Sequence, residues 1–131
     1  MPPGYNGFLP GLHQIDGYRA GGFHFAGMSH RGSILALPSG IYSWPVINMA
    51  QLDLASLTAV LAEPAGTIDM LLIGTGETLE PLPRGLRAAL NAAGIRADVM
   101  ATHHAVPTYN ILLGERRKVA AALISPETAA P

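Results

Sequence analysis

The chain has 131 residues, 49% of hydrophobic type and 13% charged, enough apolar material for one core and too little charge for a disordered chain. Its formal charge of -1, from eight basic and nine acidic side chains, argues against a broad electrostatic surface for nucleic acid. No cysteine is present, which removes disulfides, thiolate metal ligands and cysteine nucleophiles together.

Residues 1–12 hold three prolines and three glycines without an apolar period and read as an N-terminal arm, flexible or laid over the domain. A single domain is expected over 13–125, followed by a C-terminal tail over 126–131. The start of the chain carries neither the basic segment nor the apolar stretch of a signal peptide, so a cytoplasmic location is expected. The longest aliphatic run, Val119–Ile124, is far short of a bilayer span, so any membrane association is expected to be peripheral.

The first half reads as short strands punctuated by glycine. Gly22–Ala26 and Ser33–Leu37 flank the turn-rich Gly27–Gly32, as in a long-looped hairpin. Gly40–Trp44 follows as a further strand and stops at Pro45. The second half changes period. Asp53 is placed to cap a helix reaching about Ala62, with Leu54, Leu57 and Leu61 on one face and Leu52 stapled to Leu57. Ile68–Ile73 reads as a buried strand. Leu86–Leu90 lies in a helix that ends at Gly94, and Arg96–Met100 is the next strand. A third helix is predicted over Thr108–Glu115, with Pro107 in its first turn. Lys118–Ile124, apolar on both faces, is predicted to be a central strand.

This order predicts an α/β three-layer sandwich with a mixed central sheet. A parallel βαβαβ second half with right-handed crossovers follows a β-rich first half. In such a sheet ligands commonly bind at the carboxyl ends of the strands. The loops Gly74–Glu77 and Ala101–His104 then bring Thr75, Glu77, Thr102, His103 and His104 toward one crevice. Gly74-Thr75-Gly76 permits close backbone approach, but no helix follows it directly and no phosphate-loop lysine is present. A tight strand exit needing positive φ is the favoured reading of it. Adjacent His103 and His104 point in different directions, and His13, His24 and His30 lack ligand spacing, so no metal site is expected. Ser29 and Ser33 are not at a strand-to-helix elbow, which disfavours a serine hydrolase. Asp69, Asp98 and Glu115 would act as bases only if buried. The Glu115–Lys118 cluster suits a helix end and is too small for nucleic acid.

The segment from Thr102 to Ile124, with Thr108-Tyr109-Asn110 followed by Leu112, Glu115, Arg117 and Val119-Ala120, resembles the family of mitochondrial respiratory complex I assembly factor 3. The adipogenesis-associated domain protein and small bacterial and archaeal proteins of unassigned activity belong to that family too. Ser33–Leu35, Trp44-Pro45 and Leu71–Gly76 before Gly94-Ile95 agree with it. The resemblance implies a three-layer α/β fold and a role in assembling NADH:ubiquinone oxidoreductase. It maps motif residues onto Gly74, Thr75, Gly76, Thr102, Thr108, Tyr109, Asn110, Glu115 and Arg117. The chain departs from the pattern before Thr108, with His103-His104 and Val106-Pro107 where relatives carry small residues and an arginine.

Two functions follow as expectations. The leading one is a non-catalytic interaction or assembly protein without cofactor, whose partners are other proteins, complex I subunits among them, and which is itself a monomer or homodimer. Exposure of Trp44, Tyr42 or Met28 would favour it. The alternative is an enzyme or small-ligand binder using the carboxyl-edge crevice, with Thr75, Thr102, Tyr109 and Asn110 as contacts. Unpaired polar atoms there would favour the second, and a filled crevice the first.

Overall fold

The computed structural model describes residues 6–19 and 21–126; the expectations for 1–5 and 127–131 lie outside them. Among the described residues, nine strands form two sheets, accompanied by three α-helices. The strands are β1 (Phe8–Pro10), β2 (Gly17–Arg19), β3 (Gly22–Phe25), β4 (Met28–Arg31), β5 (Ser33–Leu37), β6 (Gly40–Trp44), β7 (Met70–Gly74), β8 (Arg96–Met100) and β9 (Val119–Leu123). The helices are α1 (Thr58–Leu61), α2 (Leu86–Ala92) and α3 (Thr102–Gly114).

The main sheet has the order β1-β6-β5-β9-β7-β8. β7 pairs in parallel with both β8 and β9, whereas β9 meets β5 antiparallel. The sheet is therefore mixed, and β9 is internal because neither of its faces carries a polar side chain. All five of its residues are buried. Alternation along each strand feeds two cores. Leu35, Leu37, Leu71, Ile73, Ala120 and Ala122 face one cluster with α2 and Trp44. Ile34, Ala36, Leu72, Ala121 and Leu123 face the other, with α3, Phe23 and Phe25. From β7 the chain steps one way to β8, then back past β7 to β9. Right-handed crossovers in opposite directions must use opposite faces, and α2 and α3 do lie on opposite faces. The outcome is the expected three-layer sandwich.

Three local expectations are corrected. Gly27–Gly32 is not a long loop. Met28–Arg31 is a strand, and β2, β3 and β4 form a separate three-stranded sheet. Ala26 and Gly27 both take positive φ, 51° and 75°, the geometry of a tight two-residue hairpin turn. β5 consequently pairs with β6 and β9, not with β3. The region after Asp53 is not one helix but a 3-10 turn, Ala55–Leu57, followed by the single turn of α1. Asp53 Oδ1 accepts from Ser56 N at 2.8 Å while Ser56 Oγ accepts from Asp53 N at 3.1 Å, a reciprocal box that tightens this entry. Leu52 and Leu57 are buried in one cluster, but Leu54 and Leu61 are exposed, and Val60 supplies the other inward contact.

The third correction bears on function. α3 begins at Thr102, six residues before the expected start, so Ala101–His104 is a helix entry and not a loop. Pro107 lies inside the helix, where it removes the bond to the His103 carbonyl. His103 and Pro107 are both exposed, so water can take that carbonyl. Part of the N-terminal arm is laid over the domain: β1 pairs with β6, extending the sheet by one edge strand.

Candidate functional site

The carboxyl ends of β7 and β9 mark the point where the strand order reverses, and a cleft of about 250 Å³ opens there. Its lining includes Ile47, Asn48, Thr75, Gly76, Glu77 and Glu80. The two buried hydroxyls beside it, those of Thr75 and Thr102, are bonded within the chain, while Asn48, Glu77, Thr78 and Glu80 present exposed polar side chains to the cleft. Thr102, fully buried, donates from Oγ1 to the Ile124 carbonyl at 2.7 Å and accepts from Gly76 N at 2.9 Å. Its own N–H donates to the Gly76 carbonyl at 2.8 Å. Thr75 Oγ1 donates to the Thr78 carbonyl at 2.6 Å and accepts from Glu80 N at 3.2 Å. These contacts tie the loop after β7, the start of α3 and the end of β9 into one knot.

The two glycines serve the same knot. A Cβ on Gly74 would stand 2.9 Å from Thr102 Oγ1 and 3.0 Å from Leu123 Cδ2, so glycine lets α3 begin against the strand. Gly76 has φ +100°, open to glycine at little cost. Gly74-Thr75-Gly76 is thus a strand exit built for packing.

The Thr-Tyr-Asn motif lies along α3, away from this crevice. Thr108 Oγ1 donates to the His104 carbonyl at 2.8 Å. Asn110 offers both ends of its amide to one residue: Oδ1 accepts from Ile15 N at 2.8 Å and Nδ2 donates to the Ile15 carbonyl at 2.7 Å. This copies a strand pairing and clamps the segment before β2 to the helix. Tyr109, 1% exposed, packs in the α3 core. Burial pushes its phenol up to about 12 from the usual 10, so it is a neutral core group at physiological pH. His30, on the inner side of the small sheet, is held below its usual value by burial, partly offset by its contact with the Ser33 backbone.

Glu115 and Arg117 lie at the opposite, amino edge of the parallel strands, both exposed. The nine motif residues therefore divide into three groups. Gly74, Thr75, Gly76 and Thr102 meet at the carboxyl edge, Thr108, Tyr109 and Asn110 secure α3, and Glu115 and Arg117 flank its far end. Tyr109 and Asn110 do not reach the crevice. His103 and His104 have ring centroids 4.1 Å apart on the exposed face of α3, and no cluster of three metal-ligating side chains occurs among the described residues. Asp69 precedes β7, and Asp98 pairs with Arg96 at 3.9 Å on the open side of β8, so neither is a buried base. Trp44 and Met28 are buried and Tyr42 half-buried, which removes the expected aromatic anchors. Trp44 Nε1 instead donates to the Ser56 carbonyl at 2.7 Å. The most exposed large apolar side chains among the described residues are others: Ile47 at 64% and Leu79 at 63%, beside the crevice, with Ile111 and Leu12 elsewhere. Sequence reading missed Ile47 and Leu79; their only signal was an apolar residue inside a turn-rich, polar segment.

No described helix is long and apolar enough to cross a membrane. Among known proteins, the chain is 41% identical over 129 residues to an uncharacterized protein of Rhodobacter capsulatus, covering 98% of this chain and 94% of that one. It is 32% identical over 114 residues to NADH dehydrogenase [ubiquinone] 1 alpha subcomplex assembly factor 3 of Xenopus tropicalis. That match covers 86% of this chain and 61% of the relative, so the chain spans about three fifths of the assembly factor. A crystal structure described as an outer membrane protein from Bartonella henselae superposes with a TM-score of 0.85 at 46% identity, covering 91% of this chain and 99% of that one. The family described as "Protein of unknown function (DUF498/DUF598)" matches residues 15–124. The chain belongs to that family, as a homologue of the complex I assembly factors.

Proposed function

We propose that this protein is a non-catalytic interaction protein that supports assembly of a respiratory NADH dehydrogenase, acting in the cytoplasm and touching the membrane-bound complex peripherally. The observation that carries the reading is the state of the carboxyl-edge crevice. Its buried hydroxyls are bonded within the chain, and Ile47 and Leu79 stand exposed beside them. The polar side chains of Asn48, Glu77, Thr78 and Glu80 on its lining are exposed; a catalytic or ligand-binding crevice holds such groups sheltered and preorganised, whereas exposed polar groups mixed with exposed apolar ones suit contact with another protein. Similarity to the named assembly factors supports the identity of the client, over the shared three fifths of their length.

The test is deletion in the native host with complementation by wild type and by a double variant, Ile47→Asp with Leu79→Asp. Both positions are exposed, so the variant is expected to fold. The deletion strain should contain less assembled NADH dehydrogenase and normal amounts of other respiratory complexes. Wild type should restore it and the double variant should not. Normal assembly in the deletion strain, or purification of the protein with a bound metabolite in the crevice, would overturn the reading. Recovery in an outer-membrane fraction would overturn the location.

A further inference from the structure

The amino edge of the parallel strands holds a second concentration of chemistry that the crevice does not use. Two adjoining hollows, of about 160 Å³ and 470 Å³, share Arg117, Lys118 and Val119 in their walls. Arg96 lines the first and Arg116 the second. Four of the eight lysine and arginine side chains in a chain of net charge -1 thus gather on one edge. Asp69 is the single carboxylate in either wall; Glu115 is exposed beside it and Asp98 pairs with Arg96. The floor between the charges is apolar, supplied by Met70, Leu112, Leu113, Pro38 and the exposed Leu12.

Compensating the helix dipole does not account for the cluster. No basic residue lies in the last turn of α3, where such an interaction is strongest; the cations begin after it. The helix closes with Arg116 N–H on the Leu113 carbonyl at 2.9 Å and Arg117 N–H on the Leu112 carbonyl at 3.0 Å. This is a paired cap whose middle residue must be left-handed. Glycine usually fills that place, yet Arg116 occupies it at φ +60°. A long β-carbon-bearing side chain is thus held where the cap would be satisfied more cheaply without one. The backbone beneath is firm. The Lys118 carbonyl accepts from Asp69 N at 2.8 Å and Met70 N at 3.2 Å, and the Asp69 carbonyl accepts from Arg96 N at 2.9 Å. The cations therefore stand on a braced sheet edge, which lowers the ordering cost of binding.

We propose that this edge docks an acidic segment of a partner polypeptide, its carboxylates meeting Arg116 and Arg117 and its apolar residues filling the hollow beside Leu113. The proposal rests on the reading of the molecule as an interaction protein and names the chemistry of what it grips. Four cations are too few for a nucleic-acid track, and the apolar floor matches a peptide with mixed side chains.

The test is titration of the isotope-labelled full chain with a peptide of about ten residues in which glutamate alternates with leucine and phenylalanine, followed by NMR. Amide shifts should concentrate at 67–70, 96 and 112–119 and should weaken with salt. A peptide with lysine in place of glutamate should give none. Arg116→Gly should weaken binding about tenfold while the protein melts no lower than wild type, which separates recognition from folding. Arg31→Gln, on the small sheet, should leave binding unchanged. The proposal is overturned by absence of shifts at millimolar peptide, by shifts at the crevice, or by equal binding of the lysine peptide. Displacement of the peptide by millimolar inorganic phosphate, or tighter binding to phosphatidylglycerol vesicles, would also overturn it. Peptide binding together with normal NADH dehydrogenase assembly in the deletion strain overturns the assembly reading alone. Failed assembly in that strain without peptide binding overturns the docking edge alone.

Discussion

At the carboxyl edge of the parallel strands, Thr75 and Thr102 direct their hydroxyls inward, onto the carbonyls of Thr78 and Ile124. At the amino edge, Arg116, Arg117 and Lys118 are exposed and form no ion pair among the described residues. Polar groups bonded within the chain hold structure, whereas charges left without partners are available to something else. The usual expectation that chemistry gathers at the carboxyl ends of parallel strands therefore meets a buried junction here, with the carboxylates of Glu77 and Glu80 exposed around it, and the opposite edge carries the exposed cations. A motif residue can define a family because the fold needs it.

The sharpest way to break this comparison is Thr102→Val. It removes the acceptor for Gly76 N and the donor to the Ile124 carbonyl together, in a fully buried place. Leaving two such groups unpaired costs about 3 kcal/mol, read as a lowered midpoint in urea. An unchanged midpoint would mean that Thr102 is not structural and would return the crevice to the list of binding sites.

A smaller effect is expected from Tyr109, and it appears only in alkali. Unfolded tyrosine loses its proton near pH 10, whereas the buried phenol keeps it to about 12. Between those values the unfolded state binds fewer protons, so stability falls as pH rises from 10 to 12, by about 2–3 kcal/mol. Tyr109→Phe should lack this excess loss while folding normally at pH 7. Equal alkaline titration of variant and wild type would contradict a buried phenol.

Asn110→Ala should cost less, about 1–2 kcal/mol, because Ile15 N and its carbonyl are only part-buried and water can replace the amide. The loss should be local. Amide exchange should quicken around Ile15 and β2 and remain slow in β7 and β9. Global acceleration would show that the clamp supports the whole sheet.

What the sequence made legible follows from which interactions are periodic. Leu71, Ile73 and the unbroken apolar run of β9 announce a central parallel strand because both faces need apolar residues, and the order of strands and helices then fixes the layers. Less legible were features that depend on partners distant in sequence. Asn110 recognises Ile15 across 95 positions, and nothing local marks it as a clamp and not a ligand contact. Met28–Arg31 alternates buried and exposed, but its turn is Ala26-Gly27, and alanine at positive φ hides a hairpin that asparagine would have announced. The start of α3 was obscured by Pro107, which is ordinary in a first turn and unusual in the interior. The split of the nine motif residues among three places could not be read at all, since α3 carries Thr102 to one edge and delivers Glu115 and Arg117 to the other.

The smallest expected effect is also the most discriminating, because its sign is opposite to those of Thr102→Val and Asn110→Ala. Arg116 sits at φ +60°, a region that costs a residue with a β-carbon about 1 kcal/mol relative to glycine. Glycine's greater freedom in the unfolded chain returns part of that gain. Arg116→Gly is therefore expected to leave stability unchanged or to raise it by up to about 1 kcal/mol, measured by urea denaturation. Thr102→Val and Asn110→Ala each remove bonds that the fold uses; this one removes a side chain that the fold tolerates. A destabilised Arg116→Gly would mean that the arginine is held by contacts within the chain, and the contrast between the two edges would disappear. A variant as stable as wild type that loses the acidic peptide would leave recognition as the remaining reason for an arginine at a position where the backbone favours glycine.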